Sequence, residues 1–119
     1  ELTQNELNVS FAQDSISDPW YPLGNGNLMH QLDFGLHLSH MMSVDEIKNS
    51  LKFVTENGAK TMCIKDYGIK EGNSANFVVL DEKNVFDAVR NTASTILSVR
   101  NGKVIMGKQP EKMLTTYNF

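Results

Sequence analysis

Small or apolar residues alternate with polar ones along Asn8-Val9-Ser10-Phe11-Ala12-Gln13, and the alternation stops at Asp14. Side chains that take turns on two faces predict a short strand, Val9–Gln13, ending in a carboxylate. The next stretch, Asp18-Pro19-Trp20-Tyr21-Pro22-Leu23-Gly24-Asn25-Gly26-Asn27, combines fixed φ values with missing N–H donors and reads as a structured loop. From Leu28 the spacing turns helical: Leu28, Leu32, Gly35, Leu36, Ser39 and Met42 share one face, Met29 lies at its edge, and Asn27 is a suitable N-cap. Ser43-Val44-Asp45-Glu46 forms a capping box ahead of Ile47, Leu51 and Val54, which predicts a second helix over 44–57 closed by Asn57-Gly58. Ala59, Met62 and Cys63 predict a short third helix over 59–64, ended by Tyr67-Gly68.

Beyond that point the pattern becomes extended. Asn76–Asp81 is an apolar run of strand length. Thr95–Arg100 and Lys103–Met106 flank Asn101-Gly102, a strong hairpin signal because a type I′ turn needs φ > 0 at both central residues. Val85–Val89 fits one or two helical turns, and the tail from Gln109 carries no predicted element. No internal repeat is visible.

Length and charge narrow the function classes. At 119 residues the chain is one domain's worth, and 40% hydrophobic with 21% charged residues is a folding composition. Eleven Lys and Arg against 14 Asp and Glu, scattered, give a net charge of -3 and no footprint for nucleic acid. No apolar stretch approaches the ~20 residues of a membrane span. The lone Cys63 cannot form an internal disulfide, so a soluble, reduced, cytoplasmic protein is expected. A chain that opens at Glu1 with no signal-peptide pattern reads as trimmed.

Several constellations could carry chemistry. His30, Asp33, His37 and His40 lie opposite the leucine face and could ligate a metal; with Phe34 and Met41 on that side, a helix between two layers with histidines at its rim is the simpler reading. Gly24–Asn27 could present N–H groups to an anion, but it lacks the phosphate-loop spacings, which favours a turn and an N-cap. Asp14 stands where a strand meets a loop, the place of catalytic residues in α/β barrels; an Asx-type turn is the structural alternative. Trp20 can wall a pocket or plug the loop onto the core.

Taken together, Ala12–Asn27 resembles the stretch around the last barrel strand of bacterial cytosine deaminases, in the amidohydrolase superfamily. Ala59-x-x-Met62, then Asp66-Tyr67-Gly68-Ile69-x-x-Gly72-Asn73-Ser74-Ala75-Asn76 with Phe77–Leu80, resembles the passage from barrel to small β-sandwich, and Ser98–Ile105 resembles its closing hairpin. The resemblance implies an α/β fold: the C-terminal part of a metal-dependent-hydrolase (β/α)8 barrel over 1–64, a β-sandwich segment over 65–107 and a tail over 108–119. It implies hydrolytic deamination of cytosine, in pyrimidine metabolism, aided by a divalent iron or zinc ion in the complete enzyme and by none in the isolated chain. Asp14 would be metal ligand and general base, Trp20 would close over the pyrimidine, and Ser15 would lie near the substrate.

Ser15 replaces an aspartate carried by some relatives, which keeps another amino-substituted ring, such as an N-alkylated triazine, in view. The family's H-x-H motif, other metal histidines and catalytic glutamate have no counterpart here, so the 119 residues alone are expected to be inactive. A single barrel strand has unpaired edges, which predicts self-association or pairing with a missing N-terminal portion. From another class, a non-catalytic module could use the same edge to bind a partner by strand addition.

Overall fold

The structure is a computed structural model and describes residues 7–109; the predicted tail beyond them lies outside the described residues. Its helices are α1 (Leu28–Leu38), α2 (Val44–Lys48), α3 (Glu56–Thr61) and α4 (Val85–Arg90), with a 3₁₀ segment, Ser50–Val54, between α2 and α3. Strands β1 (Phe77–Leu80), β2 (Thr95–Arg100) and β3 (Lys103–Gly107) form an antiparallel sheet in the order β1-β2-β3. Among the described residues no helix is long and apolar enough to cross a membrane.

Capping chemistry sets the helix starts. The Asn27 side chain accepts from Met29 N, Ser43 and Glu46 complete the expected capping box, and the Asn84 side chain accepts from Asp87 N. The hairpin also forms as predicted, with Asn101 at φ 49° and Gly102 at φ 73°. Asn101 N–H donates to Asn76 Oδ1 at 2.8 Å, tying the turn to the residue before β1.

Three expectations are corrected. The segment expected as strand Val9–Gln13 forms no ladder, because a strand needs a neighbour and none of the described residues supplies one. It is held instead by Phe11 N–H to Phe53 O at 2.9 Å and by Asn57 Nδ2 to Val9 O at 2.7 Å. The helix expected over 44–57 breaks into α2, the 3₁₀ segment and α3, and the third helix starts before Ala59. Side chains compete for its carbonyls: Asn49 Nδ2 takes Asp45 O, Ser50 Oγ takes Ile47 O and Thr55 Oγ1 takes Leu51 O. In α1 the buried face is Met29, Leu32 and Leu36, with Leu28 and Met42 exposed, so the stripe is rotated toward Met29 and the helix stops at Leu38.

The core lies where α1, the 3₁₀ segment and α4 meet. Leu32, Leu36 and Phe53 are almost wholly buried, and Ala88, Val89 and Ala93 close the cluster from the α4 side. Phe11 stacks on Phe53 with ring centroids 5.0 Å apart, which seats the extended segment on this core. Gly35 permits that approach, since a Cβ there would lie 2.5 Å from the Phe11 ring. The opposite side of α1 is open, with Phe34 exposed, so the two-layer packing expected there is not present among the described residues.

Candidate functional site

Phe11, anchored on Phe53, fixes the run of chain that delivers Gln13, Asp14 and Ser15 to the loop. Asp14 is exposed and makes no hydrogen bond or ion pair among the described residues. The Asx-type turn considered for it is made four residues later: Asp18 Oδ1 accepts from Trp20 N and Tyr21 N, each at 2.9 Å. Those bonds favour the ionised form, so Asp18 is held below the usual carboxylate range, first by Tyr21 N–H and then by Ser15 and Trp20. The turn presents Trp20 outward at 91% exposure, and the side chain does not plug the core.

The two limbs of the loop are stapled at its base. Gln13 Nε2 donates to Ser15 O at 3.0 Å, and Ser17 Oγ donates to Gly24 O at 2.9 Å. Gly24 lies so close to the first limb that a Cβ would overlap Ser15 O. Two of the Gly24–Asn27 donors are engaged within the turn: Gly24 N on Tyr21 O, and Asn27 N on Asn25 Oδ1.

Asp14, Ser15 and Trp20 therefore sit on one loop but do not converge on a closed pocket among the described residues. The adjacent cleft, about 400 Å³, is lined by Gln13, Tyr21, Leu23, Asn25, His30 and Asp33, among others. The histidines do not gather either. His37 Nδ1 lies 3.4 Å from Asp33 Oδ1, His30 Nδ1 lies 3.5 Å from Asn25 Nδ2, and His40 falls beyond α1 at φ 54°. Among the described residues no three His, Cys, Asp or Glu side chains come together as a metal site. Sequence reasoning missed Gln13, Ser17 and Asp18; of these, Asp18 before Pro19 carried a readable turn signal.

The amidohydrolase family profile matches residues 1–106. The 5-methylcytosine deaminase of Klebsiella pneumoniae is 47% identical. Its structure with 5-fluorocytosine superposes with a TM-score of 0.90 over 98% of this chain and 29% of that chain. Its structure with phosphonocytosine gives 0.88 over 96% and 28%. N-isopropylammelide isopropyl amidohydrolase of Pseudomonas sp. (strain ADP) is 28% identical over 107 residues, 89% of this chain and 27% of that protein. N-isopropylammelide isopropylaminohydrolase of Burkholderia multivorans, 22% identical, shares the fold with a TM-score of 0.81 over 88% of this chain and 27% of its own. The chain thus spans 27% to 29% of the length of these relatives.

Proposed function

Because the chain belongs to the amidohydrolase family, we propose that it forms the C-terminal part of a metal-dependent hydrolase that deaminates cytosine or 5-methylcytosine. The observation that carries this reading is the 47% identity, over 98% of the chain, to a deaminase of 5-methylcytosine. In the complete enzyme the extended Val9–Gln13 segment is the last strand of a (β/α)8 barrel, its neighbours supplied by the rest of the protein. Strands β1 to β3 belong to a small β-sandwich. The exposed apolar side chains of Val104, Ile105 and Met106 support such a covering by further chain.

The family is metal-dependent, but the described residues do not build a metal site on their own, since a catalytic zinc takes about three protein ligands and Asp14 offers one carboxylate. What this chain brings to the reaction is a proton acceptor, an aromatic wall and a hydroxyl. Water adds to the ring carbon bearing the exocyclic amine, Asp14 takes the released proton and returns it to the substrate, and ammonia leaves. Trp20, held outward by the Asp18 turn, closes over the flat ring, whose faces suit aromatic stacking. Ser15 offers a neutral donor and acceptor to the ring's polar edge.

The test is a chimera in which this chain replaces the matching stretch of the Klebsiella deaminase. Asp14→Ala is expected to abolish turnover and to weaken metal binding while the chimera keeps its fold by circular dichroism, because Asp14 is exposed and bonded to nothing described. Turnover that survives this change refutes the role given to Asp14.

A further inference from the structure

The Gln13 side chain spans the residue the proposed chemistry uses. Its Nε2–H donates to Ser15 O at 3.0 Å, so the amide bridges the backbone on both sides of Asp14. Gln13 Oε1 is shielded from solvent and has no partner among the described residues, so the described bonding of this amide lies wholly on the Ser15 side. The second limb of the loop presses on the same bond. A Cβ at Gly24 would overlap Ser15 O and lie 2.7 Å from Gln13 Nε2 and 3.1 Å from Ile16 Cα. Ser17 Oγ, donating to Gly24 O at 2.9 Å, keeps that limb in place.

Asp14 itself is exposed, and no described group holds its carboxylate. Among the described residues the direction of the Asp14 side chain is then left to its backbone, and Gln13 is a side chain that fixes that backbone. We infer that Gln13 is a positioning residue for Asp14, acting through the Ser15 carbonyl, with Gly24 keeping the space this bond requires. The inference rests on the deaminase reading for its kinetic consequence and on geometry alone for the structural one.

The experiment uses the same chimera. Gln13→Met keeps the side-chain length and removes the amide, and Gln13→Glu keeps the shape but cannot donate to Ser15 O. Both are expected to lower kcat for cytosine about 10- to 100-fold with KM within about threefold, the mark of a reacting group displaced by about 1 Å. Gly24→Ala, which pushes the Ser15 carbonyl away, should give the same kcat-selective loss, and combining it with Gln13→Met should add little further. Crystal structures of the chimera and of the Gln13→Glu variant should show the Asp14 carboxylate displaced. A kcat within about twofold of the parent, or a loss carried wholly in KM, overturns the inference; so does an unmoved Asp14 carboxylate. A parent chimera that releases no ammonia refutes the deaminase reading instead, and the two crystal structures then decide the role of Gln13 by themselves.

Discussion

Replacing Gly35 with alanine sets two effects of opposite sign against each other, and the Phe11 ring decides between them. In a helix interior alanine is favoured over glycine by about 1 kcal/mol, since glycine loses more backbone freedom on folding. The new Cβ, however, would lie 2.5 and 2.6 Å from Phe11 Cε2 and Cδ2 and 3.0 Å from Cζ. Carbon pairs are at ease at about 3.5–4.0 Å, so the ring would have to retreat by roughly 1 Å. Its retreat is obstructed by Phe53, 1% exposed and stacked at 5.0 Å, and its backbone is held by Phe11 N–H to Phe53 O. Over-packing of this kind costs about 1–3 kcal/mol, which leaves Gly35→Ala destabilising by about 1 kcal/mol. With Phe11→Ala in place the clash is gone and the sign reverses: Gly35→Ala then stabilises by about 1 kcal/mol. Urea titrations of the four chains, followed by far-ultraviolet circular dichroism, measure the cycle. A Gly35→Ala chain more stable than the parent while Phe11 is present, or a coupling below about 0.5 kcal/mol, would refute the packing of the extended segment on α1.

Three further outcomes follow from the caps and turns. Ser43→Ala removes the hydroxyl half of the capping box, leaving the N–H of residue 43 on Glu46, and should cost about 1 kcal/mol in the same titration. Glu46, which accepts from the Ser43 hydroxyl and N–H, and Asp18, which accepts from Tyr21 N–H and Trp20 N–H, both have carboxyls held below their ordinary values of 4.5 and 3.8. A lowered folded-state value means that their stabilisation is complete above those ordinary values and is lost as pH falls through the folded ones, so Asp18→Ala should flatten the acid limb of a pH–stability curve. Gly102→Ala, at φ 73°, should destabilise the hairpin by about 1–2 kcal/mol, read as faster amide exchange across β2 and β3.

What the residues made legible was local. Asn101-Gly102 predicts its hairpin because few other pairs tolerate two positive φ angles, and Ser43 with Glu46 predicts the start of α2 because the box is closed by those two residues alone. The interruption of the predicted 44–57 helix was not legible. Asn49, Ser50 and Thr55 are common enough in helices, and only the structure reveals that their side chains capture carbonyls of the preceding turn. The rotation of the α1 core toward Met29 depends on Phe11 lying against Gly35, a contact between positions 24 residues apart that no periodicity encodes. For the site, position and resemblance pointed to Asp14, Ser15 and Trp20 on one loop, and the structure adds how that loop is held. The Gly24 approach is a contact between the two limbs of the loop, and the Gln13 bond, though it reaches only two residues along the chain, depends on a backbone course that no linear pattern encodes.

The central claim, that these residues serve a pyrimidine deaminase, is tested most directly by the amine that the chimera releases. With cytosine, 5-methylcytosine and an N-alkylated triazine offered separately, ammonia from the two cytosines and no alkylamine from the triazine is the predicted result. Alkylamine from the triazine with no ammonia from either cytosine would contradict it.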